Sequence, residues 1–130
     1  MKLKFLQANE IAPLSKATIH SSGKLGFSSD AIDMLGITQE KTIQFAQNED
    51  DENDKNLYAV IYEGKQEGAF KIIKAGGYFY VNTKNLFDSL EIDYKNTRVI
   101  YDIVKSNYEG KPIIKLIRRD IKRKEKNMPT

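Results

Sequence analysis

The sequence predicts a mainly β fold of the α+β kind: two strand–strand–helix–strand–strand units related by a pseudo-twofold axis. Together they are expected to close a single barrel-like domain carrying two short helices. Three observations lead there. Two glycine-centred turns, Ser21-Ser22-Gly23-Lys24 and Lys74-Ala75-Gly76-Gly77, each sit between apolar stretches. Two short amphipathic segments follow them with matching apolar spacing, Ala31, Ile32, Leu35 and Ile37 against Leu86, Phe87, Leu90 and Ile92, an offset of 55 residues. Every remaining apolar stretch is short and rich in Ile, Val, Tyr and Phe, the residues that fit a pleated, half-buried surface.

The elements follow in order. Ala17-Thr18-Ile19 and Leu25-Gly26-Phe27 flank the first turn, and Phe70-Lys71-Ile72-Ile73 and Tyr78-Phe79-Tyr80-Val81 flank the second. Glycine supplies the positive φ of a tight hairpin, so both pairs read as β-hairpins. The first helix opens at Ser28-Ser29-Asp30, whose side chains can accept from free backbone N–H groups, and stops at Gly36. The second opens at Asn82-Thr83 with the same capping chemistry. Thr42–Phe45 and Leu57–Tyr62 then pair across the acidic linker 48–54, and Arg98–Val104 and Ile113–Ile117 across Ser106–Gly110. Consecutive apolar residues such as Val99-Ile100 fit a strand covered on both sides. Leu3 and Phe5 alternate with Lys2 and Lys4, which allows an edge strand that Pro13 would end.

These elements divide the chain into one domain over 1–119, with repeat one at about 16–62 and repeat two at about 69–119, and a basic, disordered tail over 120–130. A chain of 130 residues can bury a core without disulfides or metal, and none of its residues is cysteine. Zero cysteines removes thiolate catalysis and thiolate metal sites. No run approaches the ~20 apolar residues of a membrane helix. The N-terminal lysines are followed by neither an apolar stretch nor a small-residue cleavage site, so a cytoplasmic location is expected.

Charge is unevenly placed. The formal net charge is +3, yet residues 115–130 hold seven bases against two acids, and residues 1–114 hold fourteen against sixteen. Lys115, Arg118, Arg119, Lys122, Arg123, Lys124 and Lys126 are therefore the foremost candidates for phosphate contacts, since such clusters release counterions on binding.

The stretch Lys16-Ala17-Thr18-Ile19-His20-Ser21-Ser22-Gly23-Lys24-Leu25-Gly26-Phe27, continuing through Leu35-Gly36-Ile37 to Thr42-Ile43-Gln44-Phe45, resembles the AbrB/SpoVT-type swapped-hairpin domain. The order strand, glycine-basic turn, strand, short helix ending in Leu-Gly, strand covers roughly 30 residues, with a fainter echo at 71–104. The resemblance implies a barrel of two intertwined halves, normally supplied by two chains and here by one. It also implies DNA binding of the kind found in transition-state regulators and antitoxins, through bases near the turn, here Lys16 and Lys24. The chain departs from that family at Ser28-Ser29, where proline is usual, and in having few of its DNA-contacting arginines. A second parsing from residue 41, four strands and then a helix, looks like the repeat order of Whirly and PUR-type single-strand binders.

Other residues lend themselves to blander readings. His20 is the only histidine and has no cysteine beside it, so it reads as a strand position next to a turn rather than a metal ligand or general base. Glu49–Asp54 lacks the spacing and central glycine of a calcium loop. Gly76-Gly77 reads as a turn, not a phosphate cradle. Tyr78 and Tyr80 share one face by alternation and offer a base-stacking surface if that face is exposed. No catalytic residue, metal or cofactor is expected, although an acid pair assembled in space from Asp30, Asp88 and Asp93 stays open. The sequence thus points to a non-enzymatic nucleic-acid-binding protein, its partner duplex DNA or a single strand. The alternative is a protein–protein interaction module.

Overall fold

The computed structural model describes residues 1–6 and 15–122. Eleven elements occur among them: β1 (Lys16–Ile19), β2 (Leu25–Phe27), α1 (Ser29–Leu35), β3 (Thr42–Ala46), β4 (Leu57–Tyr62), β5 (Phe70–Lys71), β6 (Ile73–Ala75), β7 (Tyr78–Val81), α2 (Lys84–Ser89), β8 (Thr97–Tyr108) and β9 (Lys111–Lys122). The nine strands form one antiparallel sheet in the order β5-β3-β4-β9-β8-β1-β2-β7-β6. Its two outermost strands, β5 and β6, are consecutive in the chain and separated only by Ile72. The sheet therefore bends round until its ends meet in one short stretch, giving a nearly closed barrel. The expected strand 70–73 is the seam: Ile72, fully buried, breaks it so that Phe70 pairs with β3 and Ile73 with β7.

Side-chain alternation fills the interior. Ala17 and Ile19, Leu25 and Phe27, Leu57 and Ala59, Val99, Tyr101 and Ile103, and Ile114 and Leu116 point inward and join one apolar cluster with Ala31 of α1 and Phe87 of α2. A twisted sheet closed on itself needs such alternation on every strand.

The helix ends show how local chemistry sets the elements. Ser28 Oγ accepts from Ala31 N at 3.2 Å and from Lys16 N at 3.0 Å, so one hydroxyl caps α1 and ties it to β1. Gly36 closes α1 in the left-handed region at φ 62, donating to Asp33, while Ile37 N donates to Ile32 O. The second helix closes with the same bonds, Glu91 N to Asp88 O and Ile92 N to Phe87 O, but Glu91 takes the left-handed φ of 58 without being glycine. Its start departs from expectation. Thr83 makes no side-chain cap; its buried hydroxyl instead donates to Gly23 O of the first turn at 2.9 Å. A buried hydroxyl takes whichever acceptor is in reach, and here the turn carbonyl wins.

Three other expectations change. The edge strand that the N-terminal residues allowed is absent over 1–6, where Leu3 and Phe5 are exposed, and 7–14, with Pro13, lie outside the described residues. The outermost strands of the sheet have two and three residues, too short an edge to template another. The last hairpin is longer than the apolar pattern shows, because its turn tightens to Glu109-Gly110, both at positive φ as a two-residue turn demands. Strand β9 also runs past the expected boundary at 119: Asp120, Ile121 and Lys122 pair with Val99, Arg98 and Thr97. The tail expected to be disordered thus begins as strand, and residues 123–130 lie outside the described ones. No helix among the described residues is long and apolar enough to cross a membrane.

Candidate nucleic-acid interface

Strands β8 and β9 pair over twelve positions, a two-stranded ribbon about 40 Å long at the usual rise per residue. Only its middle is held by neighbours, β8 by β1 at residues 100–102 and β9 by β4 at residues 114–116. The ribbon carries seven bases (Arg98, Lys105, Lys111, Lys115, Arg118, Arg119, Lys122) against Asp102, Glu109 and Asp120. Four of the tail residues singled out from sequence, Lys115, Arg118, Arg119 and Lys122, are thus strand residues. Arg123, Lys124 and Lys126 lie outside the described residues.

Strand geometry divides those bases. Lys115 and Arg119 share the outward face with Ile117 and Ile121, whereas Arg118 and Lys122 share the face of Ile114 and Leu116. Both arginines are engaged by carboxylates in a two-point grip. Arg118 Nε and Nη2 meet Asp120 at 2.8 and 3.2 Å, and Arg119 meets Asp102 at 2.6 and 3.1 Å. These are exposed pairs that salt weakens. They set a threshold for phosphate, which must displace the carboxylate or use the remaining N–H groups. Lys115 lies near enough to Asp54 to help hold that carboxyl below its ordinary value. The larger causes there are the Asn56 backbone N–H and the hydroxyl of Tyr58.

Of the two first-turn lysines, Lys16 adjoins the ribbon and Lys24 lies away from it. Lys16 is half-buried on β1, in register with Asp102. Lys24 reaches across to β7, its Nζ 4.6 Å from the centre of the Tyr80 ring. Tyr80 is stacked with Tyr78 at 5.8 Å and 25° between planes, and the Tyr78 hydroxyl is hydrogen-bonded to His20 Nε2. His20 does sit beside a turn, as expected, and is also part of this cluster. The Tyr78 ring lies across Gly26, where a β-carbon would overlap its hydroxyl and stand 2.6 Å from His20 Nε2. Burial, and secondarily Tyr80, raises the Tyr78 pKa. This cation–aromatic cluster was only half visible in the sequence. Alternation put Tyr78 and Tyr80 together, but pairing of β2 with β7 had to bring Gly26 and Lys24 beneath them.

Elsewhere the chemistry is sparse. Asp30, Asp88 and Asp93 are exposed, and Asp88 accepts from Lys84 Nζ at 2.7 Å and Tyr94 OH at 2.6 Å. No acid is buried among the described residues, nor do three His, Asp or Glu side chains gather there as metal ligands. In the acidic linker, Asn48, Asp51 and Asp54 accept from backbone N–H groups two residues on, the bonding of turns. The hydroxyl of Tyr101 has no partner among the described residues, and burial pushes its pKa up to about 12 despite the nearby Arg118. Comparison of the chain with protein-family models, with curated proteins and with solved structures finds no match.

Proposed function

We propose that the protein binds nucleic acid without catalysing a reaction, as a one-chain, duplicated version of an AbrB-like barrel. The observation that carries the reading is the β8–β9 ribbon: a long, basic, two-stranded element held only at its middle. A two-stranded ribbon fits the major groove of duplex DNA, and bases along it supply phosphate contacts. The chain continues beyond it into Arg123, Lys124 and Lys126.

Two features support the duplication. The bonds that end α1 recur at the end of α2 at a constant offset of 55 residues. With β5 and β6 taken together as the counterpart of β1, the strand pairings also survive exchange of the halves: β1·β2 becomes β6·β7, β3·β4 becomes β8·β9, β1·β8 becomes β5·β3, and β2·β7 and β4·β9 map onto themselves.

The test replaces Lys111, Lys115, Lys122, Arg123, Lys124 and Lys126 with glutamine and keeps both arginine–carboxylate pairs. Each phosphate contact contributes about 0.9 to the slope of log affinity against log salt. The expected result is weaker binding of a random-sequence duplex, with the slope reduced by about 3 or more. An unchanged slope rejects the ribbon as the contact surface.

One observation favours a protein–protein module instead. Val104, Ile117 and Ile121 are 40%, 36% and 44% exposed in a row on the outward face of the same ribbon. A protein partner retained through nuclease treatment and released by Ile117→Glu would favour that reading.

A further inference from the structure

We infer that the outer face of β1, β2 and β7 is a second contact surface, one that takes single-stranded nucleic acid by stacking an unpaired base on Tyr78 while Lys24 and Lys16 meet the backbone. The inference rests on the nucleic-acid reading and adds to it both a place and a strand preference.

The geometry of the tyrosines comes first. Exposed aromatic side chains in a strand are ordinarily free to rotate; this one is positioned. Tyr78 is 37% exposed, its hydroxyl is held by His20, one side of its ring is backed by Tyr80, and the ring crosses strand β2 at the one residue without a side chain, Gly26. A ring fixed in this way presents a flat surface with little entropy left to lose on binding. Charge is the second argument. None of the three strands carries an acid, and Lys24 stands at the Tyr80 end of the stack. Two lysines are too few to hold a duplex by its phosphates alone, and bases inside a duplex are not available to a tyrosine. A single strand offers both a phosphate and an open base, and aromatic stacking is tolerant of which base it is. The face borders the ribbon, since β1 pairs with β8, but two strands, β1 and β2, lie between the stacked tyrosines and the ribbon.

The test uses the full chain with a 20-nucleotide oligo(dT), the matching oligo(U) and a 20-base-pair duplex. The sequence has seven tyrosines and no tryptophan, so quenching of tyrosine emission reports stacking directly. Stacking on one aromatic ring contributes about 1–3 kcal/mol, so Tyr78→Ala is expected to weaken single-strand binding about 5- to 150-fold and to abolish most of the quenching. Tyr78→Phe keeps a ring to stack on and is expected to hold more of the single-strand affinity than Tyr78→Ala, although it loses the tyrosine emission at this position and the hydroxyl bond to His20. Gly26→Ala removes no charge and no ring, yet pushes the Tyr78 ring off its seat, and is expected to weaken single-strand binding while duplex binding by the ribbon is unchanged. An oligo(dU) arm separates the sugar from the thymine methyl: tighter binding of oligo(U) than of oligo(dU) favours RNA as the polymer, and the reverse favours DNA. Wild-type single-strand affinity in both Tyr78→Ala and Gly26→Ala overturns this surface. If ribbon neutralisation still lowers duplex binding in that case, the parent reading stands. Failure of the wild-type chain to bind any of these probes at low salt rejects both.

Discussion

At the scale of single residues, the most informative groups are those whose bonding is unusual. Tyr101 is fully buried on β8, with a hydroxyl that has no partner among the described residues. An unpaired buried hydroxyl loses its water and gains nothing, so its removal is cheap. Tyr101→Phe is expected to leave stability at pH 7 unchanged or raised by up to about 1 kcal/mol, as measured by urea unfolding. The same residue has a pH signature. Its folded pKa lies above the unfolded value of 10, so the folded state holds the proton more tightly. The associated stability is complete below pH 10 and is lost as pH rises toward about 12. Tyr101→Phe should therefore flatten the alkaline decline of the wild-type protein. A substantial loss of stability at pH 7 would show that the hydroxyl does have an essential partner.

Among elements, the helix ends invite comparison. Both close in a left-handed conformation, but α1 uses glycine and α2 uses Glu91. A side chain there costs about 1–2 kcal/mol, of which glycine's greater unfolded entropy cancels part. Glu91→Gly is expected to stabilise the protein by up to about 1 kcal/mol, whereas Gly36→Ala should destabilise it by a similar amount; thermal or urea denaturation decides both.

The elements also show which features can be read from sequence. The ends of the first helix were legible, because the Ser28 cap on Ala31 and the Gly36 stop act on their own neighbours, whereas the bond from Lys16 N to Ser28 was not. Thr83 was misleading, since the carbonyl it serves belongs to Gly23, a residue distant in sequence. The ribbon was underestimated for a similar reason. Asp120-Ile121-Lys122 has little apolar content, yet β8 offers it partners, and pairing overrode composition. The aromatic face needed the β2–β7 pairing, which no local pattern announces.

For the whole molecule, the barrel closes because each hairpin finds its other neighbour in the opposite half: β2 with β7, β4 with β9, β1 with β8 and β3 with β5. That arrangement seats β1 beside β8, so the tyrosine–lysine face borders the basic ribbon with β1 and β2 between Tyr78 and β8. On the proposed reading, a body with a slight excess of acid would engage polyanions through two local surfaces rather than through a general positive field. The measurement that tests this most directly is an amide NMR titration of the full chain with duplex and single-stranded oligonucleotides. The account predicts perturbations along β8 and β9 with duplex, and around His20, Lys24, Gly26 and Tyr78 with single strand. Shifts confined to other elements, or no shifts at low salt with either ligand, would contradict it.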